Sequence, residues 1–324
     1  MEQVYKAEAI CAGLILAITG AALVLAETRG VRIDYASFAG RYLLAAVMLG
    51  IAALYRHRNR APRISLTLVS CALFVLFTNG GAVLNYTLIP RGAVPIDPLL
   101  IRADAMLGFD WARFAEFVSR LDGAGAALGY VYQSSLFQLA LLILMLGFGG
   151  HRLALHRFML VGMLSSLACI AIWSLAPSVG PGAILAPAVE LRLHRFLAAD
   201  YTRQMLALLR DGPGIVTATG LIGLISFPSM HTVMATMSVV YSRKTFAFWP
   251  LAVLNALMIP AILVHGQHHV ADVLGGLALF VVVAVWVRHL IPDEDQLQTA
   301  SGGRLIRIAS MLPPVFRPNS VPRS

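Results

Sequence analysis

Charge is what this chain of 324 residues has least of. Only 13% of its residues are Asp, Glu, Lys or Arg, against about 25% in a soluble domain, while 58% are apolar and the mean hydropathy is +0.77. That balance excludes a water-soluble globule and a disordered chain. Lysine is confined to Lys6 and Lys244. The three cysteines, Cys11, Cys71 and Cys169, sit in separate apolar runs without C-x-x-C spacing, so they say nothing about redox compartment. There is no internal repeat and no low-complexity tract. What remains is an all-α, polytopic membrane protein.

Seven clean apolar stretches long enough to cross a bilayer lie between residues 9 and 290. An eighth, Ile215 to Tyr241, is interrupted by Pro228; since proline suits a helix start better than its middle, residues 214 to 226 read as an approach and Pro228 as the opening of a span. The expectation is about 8 spans (6–8). Lys6 followed by Val24-Leu25-Ala26 would also suit a signal peptide, but the apolar run exceeds the usual core of about 7–15 residues.

Orientation follows the Lys/Arg bias of the short loops. With the cluster Arg56, Arg58, Arg60 and Arg63 in the cytoplasm, that side holds fourteen bases against five acids, and the other holds ten against ten. The net charge of +9 is therefore a topological signal and not the mark of a nucleic-acid partner. Both termini are expected in the cytoplasm. The outer segments 90 to 123 and 177 to 213 read as interfacial helices. Three regions follow: an N-terminal transmembrane region, 1–79; a catalytic membrane domain, 80–290; and a cytoplasmic tail, 291–324, rich in Pro, Ser, Gly and Arg and expected to be disordered.

Ionisable groups at span ends are costly and by default functional. Two such groups start inward-running elements on the same face: Ser226-Phe-Pro-Ser-Met-His231, and His265-Gly-Gln-His268-His269-Val-Ala-Asp272. Residues His268 and Asp272, four apart, would share a helix face, the carboxylate holding one ring nitrogen while the other offers its lone pair as nucleophile or base. The first-turn amides after Pro228, with the Ser229 hydroxyl, would face an anion. His231 beside that anion could protonate a leaving alkoxide. Gly275 and Gly276 read as residues that permit close helix contact, and His57, His194 and His289 as structural or solvated.

Pro228-Ser229-Met230-His231 and His268-x-x-x-Asp272 resemble the second and third motifs of the type 2 phosphatidic acid phosphatase superfamily, P-S-G-H and S-R-x5-H-x3-D. The pattern Phe-Pro-Ser-(bulky)-His with His268-His269 is most similar to its inositolphosphotransferase branch, which includes inositolphosphorylceramide synthase. Ile96-Asp97-Pro98-Leu99, Leu107 to Trp111 and Ala176 to Pro181 also look like bacterial members. The resemblance implies a lipid-phosphate phosphatase or phosphotransferase without metal or other cofactor. In it His268 is the phosphorus nucleophile, forming a phosphohistidine, Asp272 orients it, His231 is the general acid and Ser229 binds phosphate. The substrate would be a lipid-linked phosphate or phospholipid, met at the periplasmic or other extracytoplasmic face of the plasma (inner) membrane.

Two departures stand out. The first motif, K-x6-R-P, is absent, the sole Arg-Pro being Arg317-Pro318, and Ala261-Ile262 replace the Ser-Arg of the third. A phosphate still needs cationic stabilisation; the candidates are Arg91, Arg102, Arg192, Arg195 and Arg203, with Arg91 favoured because it directly follows a span. Met230 in place of glycine would narrow the substrate pocket. The rival readings are a di-iron desaturase or hydroxylase, on His151-x4-His156 and His265-x-x-His268-His269, and a catalytically inactive lipid-binding or transport protein.

Overall fold

Runs of Leu, Ala and Val long enough to leave no polar face form helices that can be buried or lipid-covered on every side. The computed structural model of the chain, which describes residues 2–184, 199–265 and 267–292, is built from such helices. In order they are α1 (Glu2–Arg29), α2 (Tyr35–His57), α3 (Pro62–Thr87), α4 (Asp97–Met106), α5 (Trp111–Ser119), α6 (Ala124–Gln133), α7 (Ser135–Phe148), α8 (Arg152–Leu175), α9 (Ala199–Asp211), α10 (Met230–Ser242), α11 (Phe248–Val264) and α12 (Val270–Leu290). Local signals set several boundaries. Asp34 caps α2 by accepting the Ser37 amide, Pro62 opens α3, and Gly150, at φ +75°, turns the chain between α7 and α8.

Short connections make successive long helices antiparallel, so their ends gather at two poles. At one pole the Ile96 amide meets the Pro177 carbonyl at 2.8 Å, Gly92 meets Leu209 at 2.8 Å, and the Ser229 amide meets Asp272 at 3.0 Å. There also lies the one departure from an all-α chain among the described residues, a two-residue parallel pair in which β1 (Arg32–Ile33) aligns with β2 (Ile215–Val216). At the opposite pole Arg56 grips Glu8 at 2.6 and 2.7 Å and reaches Ser65 at 2.9 Å. Nearby, Arg157 donates to the Ile291 carbonyl.

Five helices are long and apolar enough to cross a membrane, or six if α6 and α7, bent by 45°, count as one span. The other two expected spans exist as helices but are short: α10 has 13 residues and α11 has 17, about 20 and 26 Å at 1.5 Å per residue, against a hydrocarbon core of about 30 Å. The long helices are unequally enclosed. Protein buries 61% of the apolar window of α3 and 50% of that of α8, but 28%, 17% and 28% for α1, α2 and α12, so the last three offer most of their surface to lipid. Two of the expected interfacial helices are α4 and α5. Trp111, opening α5, donates its indole N–H to the Leu263 carbonyl at 2.9 Å and fixes that helix against the end of α11.

Candidate active site

The helix α10 begins at Met230, two residues later than a helix opened by Pro228 would. Ser229 is its N-cap, accepting the Thr232 amide at 3.3 Å, and Pro228 precedes the cap. The Ser229 amide donates to the Asp272 carbonyl at 3.0 Å, which requires α10 and α12 to touch at their starts. Gly276 permits it: a Cβ there would collide with the Ser229 carbonyl oxygen and press on Thr232. The close-contact reading of Gly275 and Gly276 agrees with this geometry, a Cβ at Gly275 meeting Phe227 at 3.2 Å.

The helix α12 also starts later than expected. Val270 is its first residue and His269 its N-cap, so His268 lies outside the helix and does not share a helical face with Asp272 as a four-residue spacing suggested. The reason is that Asp272 accepts the His269 amide at 2.9 Å, closing the first turn. The two side chains still meet. His268 Nδ1 is 3.4 Å from Asp272 Oδ2 and 3.0 Å from the Ser226 carbonyl oxygen. Both neighbours can only accept, so Nδ1 carries the proton and Nε2 keeps its lone pair. The Ser226 carbonyl is the nearer of the two holders, and both His268 and Asp272 are fully buried.

Across the site, the His231 and His268 rings stand edge to face with centroids 5.6 Å apart. His231 is stacked on Tyr132 at 4.0 Å, with 23° between the planes. Tyr132 in turn donates to Gln267, the residue before His268, at 2.8 Å. It belongs to α6, whose bend against α7 at Ser134 tilts it toward this pole. His231 Nδ1 is buried with no hydrogen-bond partner among the described residues.

His269, next to His268, lies between two carboxylates of α4. Its Nδ1 is 2.9 Å from Asp104 Oδ2 and its Nε2 is 3.2 Å from Asp97 Oδ1. Burial disfavours a charge on the ring, but the hydrogen bonds to Asp104 and Asp97 outweigh it and hold the pKa up at about 9. Asp97 also accepts the Ser178 hydroxyl at 3.0 Å, the Val179 amide at 3.0 Å and the Gly180 amide at 2.6 Å. Burial would raise its pKa, yet the bonds from His269 and Val179 hold it below the usual carboxylate range.

The structure thus brings together Ser229, His231, His268 and Asp272, as their spacing in sequence implied. Met230 turns its sulfur toward the Ser166 hydroxyl of α8, 3.7 Å away. Arg91 lies against Gly212 and donates to the Arg29 carbonyl; these contacts are with the end of α1 and the turn after α9, not with the histidines. Arg102 and Arg203 are exposed. Arg192, Arg195 and His194 lie outside the described residues, as does the tail beyond residue 292. The two histidine boxes of the di-iron reading sit at opposite ends of α8. Its N-cap is His151, and the turn after its C-terminus reaches His269 through Asp97; 24 residues of helix separate them by roughly 36 Å.

Sequence reasoning missed Asp97, Asp104, Tyr132 and the Ser226 carbonyl. The first two carried a signal, since acids seven apart in one short helix share a face. Tyr132 was one aromatic among many, and a backbone oxygen leaves no mark in sequence.

A family model described as the PAP2 superfamily matches residues 98–286, more than half of the chain, and the matched stretch contains Asp104, Ser229, His231, His268 and Asp272. No curated protein and no solved structure matches the chain.

Proposed function

This chain belongs to the PAP2 superfamily, and from that premise we propose that it opens a phosphoester or pyrophosphate bond of a lipid-linked substrate through a phosphohistidine on His268. The observation that carries the reading is the pair of acceptors that His268 Nδ1 meets, the Ser226 carbonyl and the Asp272 carboxylate. With Nδ1–H held by Ser226 and Asp272, the Nε2 lone pair is free to attack phosphorus. As the N–P bond forms, the P–O bond to the lipid or headgroup oxygen breaks, and His231, which takes up a proton beside the bound anion and enters the step as imidazolium, donates the proton that oxygen needs. In the second step the acceptor gives its proton back to His231, its oxygen bonds phosphorus, and the N–P bond breaks. The scheme is written with two imidazoles as nucleophile and acid and draws on no metal.

Water as acceptor makes the enzyme a phosphatase, and a lipid or sugar hydroxyl makes it a phosphotransferase. The first step is common to both. The His268-His269 pair and Met230 favour transfer of the inositolphosphotransferase kind. Anion binding falls to the first-turn amides of α10 and the Ser229 hydroxyl. The short α10 supports a lipid substrate, because a helix about 10 Å short of the hydrocarbon thickness starts below the headgroup level. With the Arg56–Arg63 cluster in the cytoplasm, the site faces the extracytoplasmic side of the plasma membrane, and both termini are cytoplasmic.

The test is a panel of lipids labelled on phosphorus (phosphatidic acid, an isoprenyl diphosphate and glycerophospholipid diesters), offered in non-permeant short-chain form to sealed right-side-out membranes and to purified protein. One member is expected to yield free phosphate or a new phospholipid in both preparations, and His268→Ala to abolish it. Equal turnover by His268→Ala, or no turnover of any member, would overturn the reading; turnover only after the membranes are opened would reverse the orientation.

A further inference from the structure

We propose that Asp97, His269 and Asp104 form a buried charge clamp through which α4 sets the position of the nucleophile His268. The clamp rests on the assignment of His268 above, but its geometry stands by itself. Both ring nitrogens of His269 face carboxylate oxygens, at 2.9 and 3.2 Å. A carboxylate can only accept, so both nitrogens carry protons and the ring is an imidazolium. Five more contacts convert this charge into position. The second Asp104 oxygen accepts the Ala271 amide at 3.1 Å, within the first turn of α12. The His269 amide is held by Asp272 at 2.9 Å. Asp97 collects Ser178, Val179 and Gly180, joining the turn after α8 to the same ring. His268 is thus the residue immediately before one locked at its backbone and at both nitrogens of its side chain.

The groups facing the imidazolium are Asp97 and Asp104 from α4 and Asp272 from its own helix, with Tyr201 of α9 the neighbour of Asp97. Three carboxylates surround one cation. Removing either α4 charge withdraws the reason for the ring to stay protonated, and a neutral ring can no longer donate to both carboxylates.

The clamp is a positioning device, so its signature lies in kcat and in the ionisation of a residue that never touches phosphorus. The histidine Cε1–H resonances of the purified protein are followed with pH, His269 being assigned by its loss in His269→Gln. In the unaltered protein one imidazole should remain protonated through pH 8 and titrate near 9. In Asp104→Asn, which keeps an oxygen for the Ala271 amide, that titration should move down, and kcat should fall by up to about 10²-fold with KM little changed. Asp104→Glu should recover part of kcat. A His269 that titrates near its ordinary value in the unaltered protein overturns the clamp whether or not any variant folds. So does an Asp104→Asn enzyme with unchanged kcat. Activity persisting in His268→Ala would instead overturn the nucleophile assignment and leave the titration to decide the clamp.

Discussion

At the scale of single residues, the three neighbouring imidazoles differ in what their ring nitrogens and faces meet. His268 meets acceptors on one nitrogen only and keeps a lone pair; His269 meets them on both and keeps a charge; His231 meets a ring face. The charge on His269 has a pH consequence. Its folded pKa of about 9 lies above the ordinary value of about 6.5, so the stabilisation it contributes is complete below about 6.5 and is lost as the pH rises through 9. Tyr132 touches both His231 and the residue before His268 and is the residue to vary. Tyr132→Phe keeps the stack and loses the bond to Gln267, a change of about 0.5–1.5 kcal/mol, and should cost only a few-fold in kcat. Tyr132→Leu also loses the ring contact, worth about as much again, and should cost about tenfold or more at similar KM. Steady-state kinetics on a short-chain substrate distinguish the two, and a Leu variant as active as the Phe variant would remove the stack from the mechanism.

At the scale of elements, the site is a junction of two helix starts. The contact between α10 and α12 depends on Gly276 having no side chain. Alanine normally favours a helix over glycine by about 1 kcal/mol, so in open space Gly→Ala should be neutral or stabilising; here the collision with a backbone oxygen decides the sign. Gly276→Ala is expected to lower stability by about 1–3 kcal/mol and to depress activity. Gly13→Ala, on a face of α1 with nothing within 4 Å, should do neither. Thermal unfolding in detergent checks the pair, and equal midpoints would contradict the packing described. The same junction explains what the sequence could and could not tell. The spacing from Ser229 to His231 and from His268 to Asp272 was enough to bring the four residues together, because each group lies within a few residues of one helix start. The helix boundaries moved by one or two residues because capping, not hydrophobic periodicity, sets them. The contributions of α4 and α6 were hidden because those residues are about a hundred positions or more from the motifs they serve.

At the scale of the whole molecule, polarity of charge and polarity of structure coincide. The basic loops around Arg56–Arg63, Arg152 and Arg243 lie at the pole opposite His231, His268 and His269, and the Glu8–Arg56 pair, with His156 3.8 Å away, ties α1, α2 and α8 together there. The basic bias of the loops at 56–63, 152–157 and 243–244 was legible from loop placement alone. Span count was less so, since α10 and α11 are apolar yet stop short of a full crossing. The two-strand pair joining residues 32–33 to 215–216 could not be read, because two residues carry no periodicity. The central claim, a covalent phosphoenzyme on His268, is tested most directly by reacting the purified protein with a phosphorus-labelled lipid phosphate, quenching in alkali and locating the label by mass spectrometry at neutral pH. The expected result is an alkali-stable, acid-labile phosphoryl group on His268 that is absent from His268→Ala. Label on a different residue, or substrate turnover with no protein-bound phosphate at any time point, would contradict it.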